Sequence, residues 1–307
     1  MTAFKQRRRF NWQVFLMAMA GVAFLLVFAY LPMGGILIAF KDADYSLNVM
    51  RALQTKPLVG LKNFAAFLND PQFINIMLNT LGLNVLQLTI TFPAPIIFAL
   101  MLNELQSKRL QKSVQTITYF PYFISWVVFG GIILSMLSAD GGIINEVLLR
   151  LGIVKDKIAF ASKAEYFWWI TIFSSLLKGL GWGAVIYIAA IAGVDPSIYE
   201  SARIDGANRF QTALKITLPC IAGTITVMLL LSIGGLLSSS FDQIYILQNP
   251  LNISRSEVLD TYIYKVGITQ RRYSFTTAVG LFKSVISLVL LSFSHVLSKK
   301  LTGRGLF

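Results

Sequence analysis

The chain of 307 residues is 55% hydrophobic and 13% charged, and carries a formal net charge of +13. Soluble domains hold about 25% charged residues, so this composition excludes an ordinary water-soluble globule. The alternating apolar and polar pattern of a membrane β-barrel is absent, which leaves helices as the spanning elements. Six segments are long and apolar enough for a hydrocarbon core about 30 Å thick. They are Trp12–Phe40, Ile74–Leu102, Val114–Leu137, Tyr166–Ala192, Leu214–Phe241 and Thr277–Leu297. The expected architecture is an all-α membrane protein, a single transmembrane domain over residues 1–307.

Basic residues orient the spans. The tail of residues 1–11 carries Lys5, Arg7, Arg8 and Arg9, the second short loop Lys108, Arg109 and Lys112, and the tail of residues 298–307 Lys299, Lys300 and Arg304. With six spans these flanks share one side, so both termini are expected in the cytoplasm. The positive charge is then a topology signal and not the footprint of nucleic acid. Arg7–Arg9 and Ala18-Met19-Ala20 imitate a signal peptide with a cleavage site, but the apolar run continues to Phe40, as in a retained signal anchor.

Residues 41–73 form the first external loop. Within it, Asn63, Phe64 and Phe67 at helical spacing predict a short interfacial helix, and Asn69-Asp70-Pro71 predicts a turn or helix start. Pro32, Pro93, Pro95 and Pro219 lie in or beside spans, where neighbouring helices can satisfy the carbonyls they free. Cys220, the single cysteine, excludes an internal disulfide and is expected to pack inertly.

Two lysines fall inside predicted spans. Lys178 lies in SSLLKGLGWG and Lys283 in GLFKSVISL, with no evident acidic partner in the same spans. An intramembrane lysine faces the bundle interior or an aqueous cavity, or else snorkels to the interface. Gly179, Gly181 and Gly183 beside Lys178 allow close helix approach or local unwinding. Trp182 and Tyr187 present flat faces with polar handles that suit sugar rings. Lys178, Trp182, Tyr187 and Lys283 are therefore the candidate substrate-path residues, and the two cations suggest an acidic, uronate-containing oligosaccharide.

Between the fourth and fifth spans, residues 194–219 are too polar to cross a bilayer. Asp195 can cap a helix, Pro196 suits its first position, and Ser197 with Glu200 reads as a capping box. Gly206 costs a helix about 1 kcal/mol relative to alanine, so it requires a turn or a close approach. The segment ESARIDGANRFQTALKITLP, Glu200–Pro219, resembles the cytoplasmic signature loop of ATP-binding-cassette (ABC) importer permeases. That pattern reads Glu-Ala-Ala, three residues, Gly, nine residues, Ile, any residue, Leu, Pro, and only Ser201 departs from it. Two further blocks resemble the same family. Gly60 to Asn79-Thr80 looks like the segment preceding the second span of carbohydrate-type permeases. Leu259–Leu291 resembles the carboxyl-terminal region of the oligosaccharide subgroup that works with lipoprotein-type binding proteins.

The resemblance implies a type I importer permease with a cytoplasmic coupling helix that docks on a separate ATPase. It assigns that coupling to Glu200, Ser201, Ala202, Asp205, Gly206, Ala207, Ile216, Leu218 and Pro219. The implied partners are a second homologous permease, two ABC ATPase subunits, an extracytoplasmic solute-binding protein, an oligosaccharide and membrane lipid of the bacterial inner membrane. No phosphate-binding loop or metal motif occurs, and His295 stands alone, so the chain is expected to be no enzyme and to hold no cofactor. ATP and Mg would bind the partner ATPase. A neutral disaccharide or polyol is the alternative substrate, and a stand-alone secondary transporter the alternative machine.

Overall fold

In a computed structural model the apolar segments become helices; the structure describes residues 11–46 and 48–302. Lys5, Arg7, Arg8, Arg9 and Arg304, the outermost of the expected topology signals, lie outside the described residues. Among the described residues there is no strand, only an isolated antiparallel bridge between Lys41 and Leu58. Four helical stretches are long and apolar enough to cross a membrane: Trp12–Phe40, Phe73–Asn103, Ala164–Ala192 and Tyr273–Lys300. The third and fifth spans are each a bent pair. Lys108–Phe123 meets Trp126–Met136 at 101°, and Arg209–Cys220 meets Ala222–Gly234 at 65°.

Both breaks have local causes. Pro121 lies in a 3-10 turn, Phe120–Phe123, after which Ile124 is extended and the hydroxyl of Ser125 accepts the Val128 amide to start the next helix. In the fifth span the chain widens into a π-helical turn over Ala213–Thr217, immediately before Leu218-Pro219. The first span does the same, with a π turn over Leu26–Tyr30 before Leu31-Pro32. A proline supplies no amide to the carbonyl one turn back, and the wider turn accommodates that missing bond. The fifth span expected through Phe241 ends instead at Gly234, and a separate short helix occupies Phe241–Leu247.

The chain forms two compact units. One comprises the described part of Met1–Leu68 together with Val266–Leu281. Its first span buries none of its most apolar window within the chain, a surface suited to lipid or another subunit. Ile38, Ala43 and Ala52 form a small core with Leu53 and Tyr273. The Asp44 carboxylate caps the start of the last helix by accepting the Ser274 and Phe275 amides at 2.8 and 3.1 Å. The expected short helix is present at Lys62–Leu68. Its Phe67 is buried edge-on to Phe275, with ring centroids 6.2 Å apart, so this face packs on protein and not on a membrane surface.

The second unit is Asn69–Lys265 with the described part of Phe282–Phe307. It contains the second to fifth spans. The second span starts at Phe73, two residues after Pro71, with the Gln72 amide held by Asp70 at 2.8 Å. Ala184, Tyr187 and Ile191 of the fourth span pack on Ile96, Ala99 and Leu100 of the second, with Ile221 from the bend of the fifth. Close approach here depends on small residues. A Cβ on Gly183 would lie 3.0 Å from the Pro95 ring, and one on Gly181 would collide with the Thr118 carbonyl. Among the described residues Gly179 has no such neighbour, and the helix runs unbroken from Phe167 to Ala192, so Gly181 and Gly183 serve packing and none of the three unwinds the helix.

Candidate functional sites

The polar segment after the fourth span folds as two short capped helices joined by a tight turn. The first is Pro196–Ile204. Asp195 is its N-cap, its carboxylate accepting the Ser197 amide at 2.9 Å, and Pro196 takes the first position. Bonding from the Ser197 backbone, and then from its side chain, holds the Asp195 carboxyl below its ordinary pKa. The cap therefore persists at neutral pH and is lost only as pH falls through that lowered value. The expected Ser197–Glu200 capping box does not form. With Asp195 as N-cap, Glu200 lies beyond the first turn, and its exposed carboxylate makes no ion pair among the described residues.

Gly206 ends this helix. Its φ is +76°, its amide donates to the Arg203 carbonyl at 3.1 Å, and the Ala207 amide donates to the Ala202 carbonyl at 2.9 Å. This is the Schellman arrangement, in which a left-handed residue satisfies the last free carbonyls. Asn208 then caps Arg209–Thr212 through a reciprocal pair with Gln211, both bonds 2.9 Å.

The sequence motif thus divides by position. Ala202 is buried, Ile216 is half-buried and Leu218 packs on the cluster of Ile96, Tyr187 and Ile221. Pro219 lies just before the 65° bend. Glu200, Ser201, Asp205 and Gly206 are exposed, and Ala207 is half-buried. Beside them stand apolar side chains that sequence reasoning did not single out: Ile204 is 86% exposed and Phe210 73%. Both are large apolar groups standing out of a polar loop. Their signal in the sequence was an isolated aliphatic and an isolated aromatic residue among charges.

The second site is a cavity of about 870 Å³ in the second unit, walled by the second, fourth and fifth spans. Its polar lining is Asn84, Gln87, Thr91, Tyr187, Ser232 and Ser238, and its aromatic faces are Trp182 and Phe92. Among the described residues no charged side chain contributes to the wall. Asn84 is fixed by two bonds, to the Leu236 carbonyl at 2.9 Å and the Ser239 hydroxyl at 3.0 Å. These supports come from the stretch Gly235–Ser240, where the fifth span gives out. The amide and hydroxyl lining was not singled out in the sequence, because it comes from three separated segments.

Trp182 and Tyr187 therefore reach the cavity, whereas Lys178 and Lys283 do not line it. Neither lysine has an acidic partner within its own span, as expected, but both are bonded. Lys283 pairs with Asp260 at 2.5 Å, and the second Asp260 oxygen accepts the Ser239 amide at 2.8 Å. Lys178 donates to the backbone carbonyls of Pro121, Tyr122 and Ile124. A cation satisfied by carbonyls or a carboxylate needs no water-filled path. Cys220 is exposed, not packed in a core, and no cluster of potential metal ligands occurs among the described residues.

Comparison with known proteins agrees with this architecture. Residues 74–303 match the family described as binding-protein-dependent transport system inner membrane component. Protein LplB of Bacillus subtilis (strain 168) is 40% identical over 300 residues, covering 98% of this chain and 92% of that protein. The polygalacturonan/rhamnogalacturonan transport system permease protein YteP of the same organism is 40% identical over 294 residues, covering 96% and 90%. Among solved structures, a bacterial ABC transporter involved in import of the acidic polysaccharide alginate superposes with a TM-score of 0.86 and 37% identity, covering 95% of this chain and 96% of that one. A bacterial alginate ABC transporter in complex with an alginate pentasaccharide-bound periplasmic protein gives a TM-score of 0.87 at the same identity, covering 96% of each. The chain belongs to the binding-protein-dependent transport system inner membrane component family, as a membrane-embedded permease of a carbohydrate ABC importer.

Proposed function

We propose that the chain forms half of a translocation path for an acidic, uronate-containing oligosaccharide, driven by a partner ATPase that docks on the Glu200–Pro219 segment. Two non-identical permeases would enclose the path, with a solute-binding protein delivering the sugar from outside and both termini in the cytoplasm. In this reading Ala202 and Leu218 anchor the coupling helix to the span bundle, while Glu200, Ser201, Asp205, Gly206 and Ala207 face or shape the ATPase contact. Ile216 and Pro219 carry the motion into the fifth span at its bend. ATP and Mg belong to the ATPase.

The observation that carries the sugar reading is the cavity wall itself. Amides, hydroxyls and the exposed Trp182 face offer donors, acceptors and a stacking plane without a charge. Acidity of the substrate is supported by the polygalacturonan/rhamnogalacturonan relative and the alginate transporter. An uncharged wall equally suits a neutral oligosaccharide, so that second reading is put to the same test.

The importer, assembled with its native partners in proteoliposomes, is expected to take up trigalacturonate when ATP is supplied on the ATPase side. The fully methyl-esterified trisaccharide, which lacks the carboxylates, should compete at least tenfold less well. Equal competition would favour the neutral reading. Absence of uptake for both would overturn the substrate assignment.

A further inference from the structure

The buried Lys178 does something other than meet a sugar. Its residue is 7% exposed, and its ammonium lies against the break between the two halves of the third span. It donates hydrogen bonds to the backbone carbonyls of Pro121 (3.0 Å), Tyr122 (2.9 Å) and Ile124. An ammonium has three donors, and here all three are used. Those carbonyls belong to the 3-10 turn and the extended residue where the α-helical ladder is interrupted; that of Pro121 also accepts the Ile124 amide at 3.3 Å. In hydrocarbon such carbonyls must find donors within the protein. The same ammonium lies 5.7, 5.4 and 5.6 Å from the ring centroids of Tyr122, Trp126 and Phe129, within the range of cation–π attraction.

One helical turn along, the fourth span presents Gly181 and Trp182 to the same break. Gly181 has no side chain and lets the helices close, since a Cβ there would lie 2.8 Å from Tyr119 and collide with the Thr118 carbonyl. Trp182 stacks on Tyr122 with centroids 4.6 Å apart and planes 9° from parallel, and its indole also lines the cavity. Lys178, Gly181 and Trp182 thus form one clasp. Its charged end closes the kink of the third span, and its aromatic end sets a wall of the cavity.

We infer that Lys178 is a positioning residue for transport, whose ammonium locks the broken third span so that the Tyr122–Trp182 stack holds its place in the cavity wall. This rests on the cavity being the translocation path, but the clasp can be tested without knowing the sugar. In the assembled importer, Lys178→Met keeps the aliphatic stem and removes every donor, while Lys178→Arg retains a cation with several donors.

Amide hydrogen exchange over residues 119–128 should accelerate at least tenfold in Lys178→Met, with residues 96–102 unchanged. Lys178→Arg should restore most of the protection. Trigalacturonate uptake by Lys178→Met should show a half-saturation concentration raised about tenfold with maximal rate within about twofold. A general folding defect would lower the rate instead. If Lys178→Met does not assemble, Tyr122→Leu removes the stack and leaves the carbonyl bonds. It should raise half-saturation without altering exchange. Unchanged exchange in Lys178→Met, or wild-type half-saturation in Tyr122→Leu, would overturn the inference. If the wild-type importer rejects trigalacturonate, the substrate reading fails, and exchange over 119–128 still decides the role of Lys178.

Discussion

An importer carrying Gly206→Pro is expected to reach the membrane and assemble its spans, yet to lose transport by at least a hundredfold. The cause is local and backbone-borne. Gly206 stands at φ +76°, whereas proline fixes φ near −65°, and the substitution also removes the amide that donates to Arg203. The penalty is about 3 kcal/mol or more, and the chain would avoid it by abandoning the Schellman turn. Asn208 would then start its helix in another direction, carrying the exposed Ile204 and Phe210 away from their present arrangement. Among the described residues nothing lies within 4 Å of where a Cβ on Gly206 would be, so crowding by them is not the reason. Gly206→Leu separates the two components. It pays about 1–2 kcal/mol for a left-handed backbone and adds bulk only toward a docked partner. ATP-driven uptake, measured beside membrane abundance, checks both variants; wild-type uptake by Gly206→Pro would remove this segment from the coupling mechanism.

The second large effect concerns Lys283. Replacing it with methionine leaves the Asp260 carboxylate in a largely enclosed site where, among the described residues, the Ser239 amide is its remaining hydrogen-bond donor. Removing one partner of a buried pair costs about 3–5 kcal/mol, because the remaining charge is left uncompensated. The detergent-solubilised complex should therefore melt at a distinctly lower temperature. Lys283→Met combined with Asp260→Leu should recover most of that loss, since an apolar pair replaces an ionic one at little net cost. It should also recover transport, because neither group lines the cavity. A stable double variant that remained unable to transport would mean that Lys283 meets the substrate after all.

The bounds of the unbroken spans were legible because hydrophobic runs of that length have one outcome in a membrane. Trp12–Phe40 and the fourth span fall within a residue or two of expectation. The breaks were less legible. Phe120-Pro121 followed by Ser125 carries both a stop and a restart, but these residues lie within one apolar run, whose length predicts a single span and hides the 101° bend. The polar loop after the fourth span was readable from the residues that cap it, with one displacement. Asp195 outcompeted the Ser197–Glu200 pair because it is already placed to accept the first free amides.

The sites divide similarly. Gly206 announced its turn, since a glycine in a helical pattern requires a reason. The partners of the lysines were hidden by distance along the chain. Lys178 is satisfied by carbonyls that no side-chain pattern records, and Asp260 lies outside the predicted spans. Among the described residues the cavity wall carries no charge, and the two intramembrane lysines are bonded elsewhere in the bundle.

The central claim is that this chain is one permease of a carbohydrate importer, moved by an ATPase through residues 194–219. The most direct test is to purify the tagged chain from its native membrane in mild detergent and quantify what accompanies it. A second six-span permease and an ABC ATPase should be present in fixed stoichiometry, and Ile204→Asp with Phe210→Asp should release the ATPase while the second permease stays. Recovery of the wild-type chain alone, in a detergent that preserves such complexes, would contradict the account and reduce Glu200–Pro219 to a capped surface segment.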